Sequence, residues 1–110
     1  MSKTKSDSPE KLFNSIVEQF LAQSGISKSK MFGSEGLKVG GKVFAMLFKG
    51  KLVVKLPRER AEALIASGRG ESFDPGHGRL MKEWVAVEPH TKGEWLKLIE
   101  EARNFVASGI

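Results

Sequence analysis

The side chains in this sequence that can do chemistry fall in three places: two histidines, a pair of glycine-rich loops and one dense polar cluster. His77 lies in Asp74-Pro75-Gly76-His77-Gly78, and His90 follows Pro89. An imidazole in such a loop can pair with Asp74 or meet a metal. A metal site needs several ligands at fixed spacing, and neither such a set nor HExxH is visible. His77 is therefore read as a solvated loop residue and His90 as local geometry before a helix. No metal and no cofactor are expected.

The loops Gly68-Arg69-Gly70 and Gly76-His77-Gly78-Arg79 resemble an anion nest, in which backbone donors and a neighbouring arginine hold a phosphate or carboxylate. There is no GxxxxGK[ST], and the glycines do not follow a strand in the dinucleotide-binding order. Tight turns between strands explain them as well. Arg79, Lys82, Glu83 and Trp84 form the densest polar cluster. Glu83 can serve as a general base and Lys82 as its electrostatic partner. Adjacent strand residues point to opposite faces, however, so the two need not converge. No Ser-His-Asp set and no paired-carboxylate constellation can be assembled. The absence of cysteine removes thiolate metal sites and cysteine nucleophiles, and the absence of tyrosine removes a phenolic acid or base. A non-enzymatic protein is expected.

The charge is uneven. The 110 residues carry 18 Lys plus Arg against 13 Asp plus Glu, a net of +5. Residues 31–60 hold seven basic and two acidic side chains, whereas residues 61–90 hold three basic and five acidic. Lys38, Lys42, Lys49, Lys51 and Lys55 are the lysines of the basic stretch. Of these, Lys38, Lys42, Lys49 and Lys51 are candidate phosphate contacts, since lysines beside a polyanion release counterions. The competing reading, preferred in the absence of an arginine-rich stripe, is that they keep hairpins soluble and guard strand edges.

These groups need elements to hold them. Residues 1–8 are polar and aperiodic and form an expected flexible tail; residues 9–110 are read as one domain. Ser8 and Pro9 can open a helix to about Ser24, with Leu12, Phe13, Ile16, Val17, Phe20 and Leu21 as its apolar stripe. Strands follow at Leu37–Val39, Val43–Phe48 and Lys51–Leu56. Lys49-Gly50 is a two-residue turn, although lysine is a poor first residue for type I′. Leu52, Val54 and Leu56 share one face of the last strand and Val53 with Lys55 the other, so one side of the sheet is partly in water. Pro57–Ser67 is a short helix. Strands near Ser72-Phe73 and Glu83–Val87 come next. Thr91 and Glu94 form a reciprocal cap for a final helix through Val106.

The order α-β-β-β-α-β-β-α, with strands joined by tight turns, predicts a two-layer α+β domain with an antiparallel sheet of about five strands. The longest apolar run, Val43–Phe48, is too short to span a bilayer, and the first fifteen residues show no signal-like apolar stretch. A cytoplasmic location is expected.

From Lys30 to Pro89 the sequence resembles the TfoX N-terminal domain family. The resemblance rests on Lys30-Met31-Phe32-Gly33, Gly41-Lys42-Val43-Phe44-Ala45, Gly50-Lys51-Leu52 and, above all, Gly78-Arg79-Leu80-Met81-Lys82-Glu83-Trp84-Val85. It implies an α+β shape like that of secretion chaperones and of YjbR-like proteins. It also implies a role as an interaction or regulatory module, since founding members regulate bacterial competence. It carries no catalytic residues. Phe32, Phe44, Phe48, Phe73 and Trp84 are large enough to join the helix stripes in one core. Arg79 and Glu83 can brace the long loop as an ion pair. Alternatively Arg79, Lys82, Glu83, Phe32 and Phe73 face a groove beside Met31 as a small-anion site. A protein partner is expected, with nucleic acid or a second copy of the chain as alternatives.

Overall fold

The structure is a computed structural model, and it describes residues 9–23, 25–31, 34–73, 81–88 and 92–109. The elements are α1 (Pro9–Leu21), β1 (Ile26–Met31), β2 (Ser34–Val39), β3 (Lys42–Phe48), β4 (Lys51–Lys55), α2 (Arg58–Ala66), β5 (Gly70–Phe73), β6 (Met81–Val87) and α3 (Lys92–Ser108).

All strands pair antiparallel in one open sheet, ordered β1-β2-β3-β4-β6-β5. Hairpins join the first four. After α2 the chain lays β5 at the far edge, and β6 returns to pair with both β5 and β4. The α+β class, the two layers and the antiparallel sheet agree with the sequence. The sheet has six strands where about five were expected. The added one, β1, reads Ile-Ser-Lys-Ser-Lys-Met and carries no apolar alternation. Ile26 reaches the helix-side core, and the serines and lysines that follow suit an edge kept from pairing with other chains.

Helix α1 ends at Leu21, short of the expected Ser24. Gln23 donates its backbone N–H to the Phe20 carbonyl, and the chain turns into β1. Thr91, half of the expected cap of α3, lies outside the described residues.

All three helices cover one face of the sheet. Phe13, Ile16, Val17 and Phe20 of α1 meet Leu37, Ala45, Leu52, Val54, Val85 and Val87 of the strands. Ala61 and Leu64 of α2, with Trp95, Leu98, Ile99 and Ala102 of α3, complete this core. Trp95 is fully buried, and its indole N–H donates to the Glu88 carbonyl at 3.0 Å, so its one polar atom is satisfied. The β2–β3 register slips between Leu37 and Lys38, leaving Phe44 as the extra residue of a bulge. The bulge turns both Phe44 and Ala45 into the helix-side core, where Phe44 lies 6.3 Å from Phe20, centroid to centroid.

The opposite face holds a second cluster. Met46, Val53, Phe73, Trp84 and Ala86 are buried there, with Val43 and Phe48 half-buried against them. Strand alternation separates the two sets: Leu52 and Val54 face the helices and Val53 faces away. The single core expected to hold Phe44, Phe48, Phe73 and Trp84 is therefore divided. Phe44 belongs to the helix side and the other three to the far side, and Phe32 lies outside the described residues. No helix among the described residues is long and apolar enough to cross a membrane.

Candidate functional site

The far face of the sheet is where exposed chemistry and aromatic surface meet. Phe73 anchors it, edge-on to Phe48 at 5.4 Å and tilted against Trp84 at 6.4 Å. Both distances fall in the range favoured by aromatic pairs. Phe48 is half-buried at the end of β3, immediately before the turn to β4. That turn places Lys49 at φ 53° and Gly50 at φ 79°, both left-handed, which the right-handed twist of the hairpin requires. Lysine therefore does occupy the position for which it is poorly suited. Its ammonium lies 5.3 Å from the Phe48 ring centroid, in cation–π range.

Ion pairs border the aromatic patch. Lys51 meets Glu71 at 2.7 Å and Glu88 at 3.2 Å. The hydrogen bond that Lys51 donates to Glu71, then the one to Glu88, raises its ammonium above the ordinary value. At the other end of β4, Lys55 lies 4.0 Å from Glu83. A cleft of about 160 Å³ opens between these features. Its floor is Val53, Phe73 and Ala86, and its rim is Phe48, Lys49, Lys51 and Glu71. Small-molecule sites occupy roughly 300–1,000 Å³, so this cleft suits one inserted side chain better than a cofactor.

The residues singled out from sequence fare unevenly. Phe73 is buried in the far-face cluster and acts as its anchor. Glu83 is exposed beside Lys55. Lys82 takes its place in β6. Arg79, Phe32, His77 and His90 lie outside the described residues, so the expected Arg79–Glu83 brace does too. Among the described residues no group of three potential ligands could hold a metal. The four candidate phosphate-binding lysines do not form one set. Lys51 is committed to two carboxylates, whereas Lys38, Lys42 and Lys49 have no ion-pair partner among the described residues. Glu71 and Glu88, which bind Lys51, were missed from sequence. Both stand in line with Ala86 on the far face, but their pairing depends on β6 lying between β4 and β5. Nothing local in the sequence encodes that strand order.

An open six-stranded antiparallel sheet with three helices on one face defines a two-layer α+β domain. Residues 21–105 match the sequence profile of the YjbR family, and the chain belongs to that family. The match takes in all six strands, α2 and most of α3. No curated protein matches the chain.

Proposed function

We propose that the chain is a cytoplasmic, non-enzymatic interaction module that binds a protein partner on the far face of its sheet. The observation that carries this reading is Phe48: an aromatic ring left half-buried at the rim of a side-chain-sized cleft, with a lysine ammonium over it. Aromatic anchors beside desolvated pockets, bordered by charge, are the usual centres of binding energy at protein interfaces. The resemblance to TfoX N-terminal domains supports a regulatory setting.

Affinity capture from a bacterial lysate tests it, with wild-type protein and Phe48→Ala compared at matched folded fraction by circular dichroism. One protein should be recovered by the wild type, and its affinity should fall by about 2 kcal/mol or more in the variant. Recovery of no partner above background, or equal recovery by both proteins, rejects the reading.

A second reading has its own observation. Lys38, Lys42 and Lys49 are the lysines of the basic stretch that the carboxylates described above leave unengaged. They support weak, salt-sensitive binding of nucleic acid.

A further inference from the structure

We propose that the cleft between α2 and α3 binds a small organic anion carrying an apolar group. The cleft lies on the helix side of the sheet, so the inference is independent of the far-face reading and either can fail alone. It encloses about 450 Å³, within the range used for small ligands.

Residues of two packed helices build it. Arg60, Leu64 and Ser67 recur along α2 and its C-terminal end, and Glu94, Lys97 and Leu98 along the first turns of α3. Leu64 and Leu98 are buried and form an apolar floor. Arg60, Arg69 and Lys97 line the same space against a single carboxylate, Glu94.

The arginines are held in place but not used up. Arg60 donates from Nε and Nη2 to the two carboxylate oxygens of Glu101, at 2.9 and 3.2 Å. This fork ties α2 to α3 and leaves Nη1 uncommitted among the described residues. Arg69 pairs with Glu94 through Nη2. Lys97 is exposed and has no ion-pair partner among the described residues. Counting Glu101, three cations face two carboxylates, a surplus of one positive charge above an apolar floor. A neutral apolar ligand would leave that surplus unanswered, and a bare inorganic anion would leave the floor wet. A carboxylate or phosphate monoester on a hydrocarbon body satisfies both.

The test is an amide-resolved NMR titration of the isotope-labelled full chain with phenyl phosphate and with benzoate. Inorganic phosphate and benzyl alcohol are the head-only and body-only controls. Saturable shifts are expected at residues 60–69 and 94–98 with at least one of the two anions, and the tighter of the two identifies the head group. Each control should bind about tenfold more weakly or worse. Lys97→Glu, at an exposed position, should weaken binding about tenfold, the loss expected for one charge-assisted contact. Lys28→Glu, in the edge strand β1 at the opposite side of the sheet from β6 and β5, should leave it unchanged. Absence of saturation by either anion at about 10 mM, shifts centred elsewhere, equal binding of inorganic phosphate, or an unaltered Lys97→Glu variant would each overturn the proposal.

Discussion

Lys51 and Glu71 are bonded at 2.7 Å although their strands are not neighbours, because β6 runs between β4 and β5. The lysine crosses one strand to reach its carboxylate and takes Glu88 on the way at 3.2 Å. This bridge fastens the outermost strand, β5, to the middle of the sheet. β5 is only four residues long and has a ladder on one side alone.

The bridge fixes a pH dependence. Glu71 and then Glu88 raise the Lys51 ammonium above the ordinary lysine value of 10.5. A group whose affinity for its proton rises on folding stabilises the fold fully below its unfolded value and loses that effect as pH climbs through the folded one. Urea unfolding of wild type and Lys51→Met should therefore differ at about pH 8 and converge as pH climbs past the raised lysine value. A difference that persists unchanged at the higher pH would show that Lys51 acts through its alkyl stem alone.

A close approach on the far face gives a second prediction. Gly36 pairs with Met46, and a Cβ at Gly36 would lie 2.7 Å from the Ala45 carbonyl oxygen and 3.1 Å from the Met46 Cβ. The first of these is backbone and cannot swing aside. Gly36→Ala should lower unfolding free energy by about 1–3 kcal/mol, the usual result of overpacking, as read from denaturant midpoints. A neutral result would mean that β2 shifts freely against β3.

The sequence made the helix-side core legible and the far face less so. Phe13, Ile16, Val17 and Phe20 announce one stripe through helical spacing alone, and the structure buries all four. Alternation in β4 likewise assigns Leu52 and Val54 to the helix side. The placement of Phe48, Phe73 and Trp84 depends on which strands become neighbours and on which face each is set, a long-range matter. The register slip between Ser72 and Phe73, and the bulge at Phe44, further upset any count of alternation. The α2–α3 cleft was hidden for the same reason: Arg60 and Glu101 are 41 positions apart, and only the packing of two helices makes them partners.

The β3–β4 turn offers a stabilising substitution. Lys49 adopts a left-handed conformation that costs an ordinary side chain roughly 1–2 kcal/mol, and asparagine tolerates it better. The cation–π contact with Phe48 offsets part of that cost, at about 0.5–1 kcal/mol for an exposed pair. Lys49→Asn should therefore raise stability by a few tenths to about 1 kcal/mol, measured by thermal unfolding. A loss of stability would place the cation–π contact above the backbone strain.

The lysines left over after ion pairing decide between the two functional readings. Lys38 and Lys42 flank the β2–β3 turn, and Lys49 lies at the opposite end of β3, seven residues from Lys42. At about 3.3 Å per strand residue the span is roughly 23 Å, or about seven phosphates along one strand of duplex. A three-phosphate contact gives a logarithmic salt slope of about −2.7, so binding should be visible at low ionic strength and vanish near physiological salt. The variant Lys38→Glu, Lys42→Glu, Lys49→Glu should abolish retardation of a short duplex at low salt. Lys51→Met should leave retardation intact, because Glu71 and Glu88 already occupy that ammonium. Equal retardation of the triple variant and wild type would remove the nucleic-acid reading and leave the far-face cleft as the contact surface. Loss in the triple variant alone would put the polyanion contact on the β2–β3–β4 hairpins.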